Sequence, residues 1–269
     1  MALHIIVPVK QVPDPEHFEK ITLNRETGSI NRAGVPSITN PLDRHALEEA
    51  LRQKETAGGK ITALTMGPPQ ARKVIEDALA MGADEGALLC DPLFAGADTL
   101  ATARTLSAGI RSMGAYDLIL CGNDTVDGAT GQVPAQIATF LNIPHVTYVR
   151  KLDILDGGKA VAERKVEGGY LKVEVVLPAV VSVLKEINDY RLPTVMGIME
   201  AAGKQIREIT ASVCREFGAD EEKLGSKGSP TRVADVFESG LKRKVAIITG
   251  EPEEIARALV KKLRKLEAI

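Results

Sequence analysis

The richest polar run in the chain is Gly122-Asn123-Asp124-Thr125-Val126-Asp127-Gly128-Ala129-Thr130-Gly131-Gln132. Gly128 and Gly131 let a backbone approach a phosphate closely, and Thr130 offers a hydroxyl. A helix starting at that point would aim its free N–H groups at an anion. Taken alone, such a loop is more simply a polar turn with a capping threonine. Residues 8–15, 66–69 and 91–98 also follow strand-like runs, and three of the four loops carry Gly, Asn, Asp or Thr just ahead of a helix. Brought to one sheet edge, such loops favour a nucleotide pocket over a set of unrelated turns. Lys10, at the end of the first run, neutralises a phosphate or pairs with Asp14.

The known phosphate-binding signatures are nonetheless missing. The sequence contains no GxxxxGK[ST], no GxGxxG after its first strand-like run and no Ser-Gly-Gly-x-Asp-Ser loop. Neither a GxSxG elbow nor a Ser/His/Asp or Cys/His grouping is present, so the chain looks equipped to hold a nucleotide rather than to break a bond in one. Cys90, Cys121 and Cys214 show no CxxC spacing, and the four histidines are scattered; free thiols in a reducing cytoplasm are expected, without a zinc site.

Composition closes other routes. Of 269 residues, 44% are hydrophobic and 26% charged, the balance of an ordinary globular chain rather than a disordered one or a rod. A net charge of −2 argues against nucleic acid as a partner, and 3% aromatics leave little for stacking bases or sugars. No apolar run approaches the roughly 20 residues that span a bilayer, and the opening MALHIIVPVKQV reads as a buried strand, not a signal peptide.

The elements that must position those loops follow from periodicity. Strands are expected over residues 4–10, 61–66, 87–90 and 118–121. They alternate with helices over 41–56, 70–81, 98–113 and 130–141. Apolar strands separated by helices mean a mostly parallel, doubly wound α/β sheet covered on both faces. Residues 24–35 read as a hairpin excursion turning at Thr27-Gly28. After Pro144 the pattern changes to alternating strands over 146–155, 159–166 and 170–176, joined by Asp156-Gly157-Gly158 and Glu167-Gly168-Gly169, and so to an antiparallel portion. Residues 177–184 are again apolar on both faces. Beyond them little core rhythm survives before a short strand at 244–249 and a helix at 253–266, and residues 218–230 read as an exposed connector. The expected division is a nucleotide-binding α/β domain over 1–184 and a C-terminal arm over 185–269 that finds its burial on another chain.

Particular residues carry a resemblance. Val9-Lys10-Gln11-Val12-Pro13-Asp14, Asn40-Pro41, Met66-Gly67-Pro68 and Ala78-Leu79-Ala80-Met81-Gly82-Ala83-Asp84 resemble, in order and spacing, the beta subunit of electron transfer flavoproteins. So do Gly96-Ala97-Asp98-Thr99-Leu100-Ala101-Thr102 and the stretch from Glu163-Arg164-Lys165-Val166-Glu167-Gly168-Gly169 to Leu177-Pro178-Ala179-Val180-Val181-Ser182. The resemblance covers nearly the whole chain.

It implies a heterodimer whose alpha subunit carries the redox-active FAD, while the beta subunit closes over it and holds a second nucleotide, AMP or a second FAD. Carried over by motif position, the nucleotide site uses Val9, Asn40, Met66, Gly67, Gly122, Asn123, Asp127, Gly128, Thr130, Gly131 and Gln132; a second FAD adds Asp98, Thr99 and Thr102. The branches with a second, electron-bifurcating FAD usually read Gly-Arg-Gln-(Ala/Thr)-Ile-Asp-Gly-Asp-Thr-Ala-Gln, and this chain departs at Asn123, Ala129 and Gly131. The resemblance further implies electron carriage between an acyl-CoA dehydrogenase, as in fatty acid beta-oxidation, and another acceptor. It places a docking loop over residues 187–199, with Val195, Met196, Ile198 and Met199 as its apolar contacts; Arg191-Leu192-Pro193 breaks regular structure ahead of them. The rivals are a second-FAD subunit oxidising NADH, a nucleotide-sensing module of the universal-stress type, and an adenylating ligase disfavoured by its missing loop.

Overall fold

Ile5, Ile6 and Val7 have no solvent exposure, and strand alternation sends Ile5 and Val7 to one face of a sheet and Ile6 to the other. A strand buried on both faces needs cover on both. The computed structural model, which describes residues 2–24, 29–31, 34–232, 234 and 246–266, has that architecture.

The chain begins with β1 (Leu3–Pro8), the short strands β2 (Gln11–Pro13), β3 (Thr22–Asn24), β4 (Ser29–Asn31) and β5 (Ser37–Thr39), then α1 (Pro41–Ala57). Strands and helices then alternate: β6 (Gly59–Met66), α2 (Arg72–Met81), β7 (Glu85–Leu89), α3 (Thr99–Arg111), β8 (Leu118–Gly122) and α4 (Val133–Leu141). The meander β9 (His145–Leu155), β10 (Lys159–Val166) and β11 (Gly169–Val176) precedes β12 (Ala179–Val183). Next come α5 (Val195–Ala202), β13 (Ile206–Ile209), α6 (Ala211–Glu216) and α7 (Pro252–Lys265).

Nine strands form one sheet in the order β11-β10-β9-β12-β8-β1-β6-β7-β13. All its pairings are parallel except those of β10 with β9 and β11. The expected doubly wound sheet with an antiparallel portion is therefore present. One face is closed by α1 and α2 through Leu47, Leu51, Ile75 and Leu79; the other by α3, α4 and α6 through Leu106, Ile110, Ile137 and Cys214. Local chemistry sets the helix ends. Pro41 starts α1 with its φ already fixed, Gly58 ends it at φ 74°, and the Asp98 carboxylate accepts the Ala101 N–H to cap α3. Successive strands lie to either side of β1, so the order reverses between β1 and β8, and a crevice is expected outside their carboxyl ends.

Several expectations need correction. The helix expected from Thr130 begins at Val133, since Gly131 (φ 59°) and Ala129 (φ 47°) adopt left-handed conformations that a helix cannot continue through. Contacts divide the chain into Met1–Ala234 and Asp235–Ile269 rather than after residue 184. The reason is β13: it pairs with the otherwise open edge of β7, and four residues are too few to show a rhythm in sequence. Residues 218–230 are no exposed connector, because Ala219, Leu224 and Ser229 are buried and Leu224 joins the core beside α3. Residues 246–249 form no strand, and 244–245 lie outside the described residues. The turn expected at Thr27-Gly28 also lies outside them, although β3 and β4 on either side pair antiparallel. The second unit contains α7, whose described side chains are largely exposed.

Candidate functional site

Parallel strands deliver their loops to one edge, so the segments after β1, β6, β7 and β8 meet at the carboxyl end of the sheet. Asn40 is the centre of the first junction. It is fully buried just ahead of α1, yet its side chain does not cap that helix. Instead its Nδ2 donates to the Asp124 carbonyl (2.9 Å) and its Oδ1 accepts the Val126 N–H (3.3 Å), stitching the loop of residues 122–132 to α1. Lys10 Nζ reaches Asp127 Oδ1 at 2.7 Å, across the gap between the ends of β1 and β8. The expected pairing of Lys10 with Asp14 is thus replaced by one with Asp127, while Asp14 caps the turn after it through Glu16 N–H.

Beneath this junction lies Asp43, a residue the sequence patterns did not single out. Its Oδ2 accepts the Lys10 N–H at 2.8 Å, and Gly122 also hydrogen-bonds to it through its backbone. Burial pushes its carboxyl up to about 7, against the opposing pull of those donors, Asn40 and the Lys10 charge. The signal was present as an acid in the first turn of a helix that follows Asn-Pro, but such acids are usually exposed.

The glycines divide into two groups. A Cβ on Gly122 would fall 2.4 Å from Asp43 Oδ1 and 2.8 Å from the Leu42 carbonyl carbon, so the approach of α1 already requires a glycine at Gly122. Gly128 faces only Thr125 Oγ1, at 3.4 Å, and is exposed together with Thr130. The N–H groups of Gly128 and Thr130 make no hydrogen bond among the described residues, unlike those of Thr125 and Gly131, which both bind Asp124 Oδ1. Free N–H groups just ahead of α4 suit an anion.

Other expected residues scatter in role. Thr99 Oγ1 donates to Gln132 Oε1 (2.8 Å), which brings α3 and the loop of 122–132 together. Asn123 points inward, where it accepts from Ser182 Oγ at 3.1 Å and is buried. Asp98 is committed to the protein: it accepts N–H groups from Ala101 (3.0 Å) and Thr231 (3.1 Å), and Ser229 Oγ accepts its own N–H. Burial opposes its charge, but those donors outweigh burial and hold its carboxyl below the ordinary range. Thr102 follows in the first turn of α3, half-buried. Val9 is buried, with its N–H on Leu64 O; Met66 and Gly67 are half-buried at the neighbouring strand end. The described residues contain no cluster suited to a metal ion.

A second feature lies on the α2 side of the sheet. Val195, Met196, Ile198 and Met199, expected on a loop, belong to the helix α5, capped by Thr194. They nevertheless stand 56–78% exposed, and Leu192, which sequence reasoning passed over, is 71% exposed beside them. No helix among the described residues is long and apolar enough to cross a membrane.

Fold and site together define a doubly wound α/β protein whose loops gather into a polar junction at its switch point and whose surface carries an exposed apolar helix. The model of the electron transfer flavoprotein domain matches residues 27–213. The electron transfer flavoprotein subunit beta of Thermoanaerobacterium thermosaccharolyticum is 43% identical over 99% of this chain and all of its own length. The caffeyl-CoA reductase-Etf complex subunit CarD of Acetobacterium woodii is likewise 43% identical over 99% of this chain and all of its own. Protein FixA of Bradyrhizobium diazoefficiens is 39% identical over 96% of this chain and 90% of its own. The chain belongs to the electron transfer flavoprotein beta-subunit family.

Proposed function

We propose that the chain is the beta half of an electron-carrying heterodimer: with an alpha subunit it encloses a flavin, FAD, and at its own crevice it holds a second adenine nucleotide. The observation that carries this reading is the junction at the switch point, where Asn40, the Lys10–Asp127 pair and Thr99–Gln132 draw the loops into one edge beside unbonded N–H groups. AMP and FAD share an adenosine 5′-phosphate, so one crevice serves either, with the Gly128 and Thr130 N–H groups toward a phosphate. This chain's residues fit that role by orienting and screening charge; the electrons themselves are carried by the flavin.

Electrons pass, in this reading, between an acyl-CoA dehydrogenase or related CoA-thioester reductase that docks on α5 and a further acceptor, in the cytoplasm. Relatives are named for caffeyl-CoA reductase and acryloyl-CoA reductase complexes, which supports a CoA-linked partner. Against a second FAD stand the inward side chain of Asn123 and the full occupation of Asp98 by its own chain. The test is extraction of nucleotides from the heterodimer co-expressed with its alpha subunit. One flavin and one AMP per heterodimer support the simple carrier; two flavins and no AMP make it a bifurcating subunit; no nucleotide beyond a single flavin removes the crevice reading.

A further inference from the structure

The helix α5 buries Ala201 in the core and is seated at three further points, none of which involves its exposed apolar face. Ahead of it, Arg191 grips Glu48 of α1 with its backbone N–H (3.1 Å), Nε (2.8 Å) and Nη2 (3.1 Å), and reaches Glu55 with Nη1 at 2.6 Å. Glu48 is almost completely buried, and burial works against its charge, yet the hydrogen bonds from Arg191 and Arg52 outweigh this and hold it below the ordinary carboxylate range. Asn188 adds bonds to His45 and Glu49 on the same helix. Beneath α5, Gly197 packs so tightly that a Cβ would lie 2.3 Å from the Ala80 carbonyl oxygen at the end of α2. Behind it, Lys204 Nζ donates to the Ala83 carbonyl (2.7 Å).

A surface segment held only by its own hydrophobicity would turn Val195, Met196 and Ile198 inward. Here the fork of Arg191 supplies directional bonds that an ammonium or a neutral side chain would not reproduce. Gly197 removes the volume that would tilt the helix off α2. We infer that Arg191 and Gly197 are positioning residues that fix the height and orientation of α5, so that its apolar face is presented in one arrangement to the dehydrogenase; this rests on the docking role proposed above. A preset face saves the ordering cost that a loose loop would incur on binding.

The experiment uses the heterodimer as electron acceptor for an acyl-CoA dehydrogenase, with heterodimer concentration varied, and compares Arg191→Gln, Arg191→Lys, Gly197→Ala and Val195→Asp with wild type. Arg191→Gln and Gly197→Ala are each expected to raise KM for the heterodimer roughly tenfold, a change of about 1.4 kcal/mol. Their kcat at saturation and their flavin content should stay within about twofold of wild type, with Arg191→Lys in between because it keeps charge without the fork. Should Arg191→Gln fail to fold, Gly197→Ala carries the test by itself. If Val195→Asp raises KM while Gly197→Ala and every folded Arg191 variant leave it unchanged, α5 docks but is not positioned in this way, and the inference falls alone. An unchanged KM for Val195→Asp removes the docking role and the inference with it. Equal losses in kcat, flavin and melting temperature would make Arg191 and Gly197 supports of the fold only, which also overturns it.

Discussion

At the scale of single residues, the junction at the sheet edge is built from side chains whose jobs are to hold backbone. Asn40 carries no charge and caps nothing, but it joins two loops; Asp43 bonds the end of one strand while touching the next. An acid with a folded pKa raised to about 7, against an ordinary value of 3.8, binds more protons folded than unfolded between those two pH values. Its contribution to stability is therefore best at low pH and declines as pH rises toward 7. Asp43→Asn should flatten this: across pH 5 to 8, wild type should lose on the order of 2 kcal/mol relative to the variant in urea melts. Parallel pH profiles would show that Asp43 does not titrate in that window. The phosphate reading is probed better at Gly128 than at Gly131, where φ 59° strains any side chain whatever its charge. Gly128→Glu puts a carboxylate near the bound phosphate, a repulsion of about 1 kcal/mol in water and about 4 kcal/mol in a partly desolvated setting at ~4 Å. The heterodimer should lose one nucleotide on extraction while its other flavin remains reducible; full retention would mean the phosphate lies elsewhere.

At the scale of elements, what could be read from the sequence followed the length of each pattern. Strands and helices up to residue 184 were legible because runs such as LHIIVP and the spacing of Ala46, Leu47, Ala50 and Leu51 repeat long enough to declare a period. The strand β13 and the helix α6 were not, being four and six residues long and buried by a sheet edge and helix that are distant in sequence. The helix α5 was misread as a loop because Leu192-Pro193 breaks structure just ahead of it, while the side-chain cap from Thr194 that starts a new helix is a weaker signal. Its apolar exposure was legible from the resemblance, and the consequence is a docking prediction. Val195→Asp should leave the fold and flavin content intact, since Val195 is 78% exposed. Burying its carboxylate against an apolar partner costs on the order of a few kcal/mol. Stopped-flow reduction by the dehydrogenase should therefore slow by at least tenfold at subsaturating heterodimer, and unaltered kinetics would count against α5 as the contact.

At the scale of the whole molecule, the meeting of loops at one sheet edge was legible as a place but not as a set of contacts. Order and spacing identified which loops meet there; the contacts each residue makes depended on packing between α1, β8 and α3 that no local pattern encodes. Thus Gly122 proved to be required by α1, Asn123 by Ser182 and Asp98 by Thr231 and Ser229, three residues whose types had suggested a ligand. The same logic separates the two units. Both hydrophobic clusters are made from residues up to Leu224, and the described part of Asp235–Ile269 contributes to neither. Its helix α7 exposes Leu259 and Val260, with Leu266 just beyond its end. A chain ending at Ala234 should therefore keep a cooperative thermal transition within about 4 °C of the full chain, the shift expected from roughly 1 kcal/mol or less. If the second unit supplies the burial on another chain expected of the C-terminal arm, that shortened chain should fail to retain a tagged alpha subunit on a column under conditions where the full chain does so. A large drop in melting temperature would show instead that residues 235–269 support the first unit. Full retention of the alpha subunit would transfer its binding surface to the first unit, where the exposed Tyr148, Tyr170 and Leu171 of the antiparallel strands would be the next residues to change.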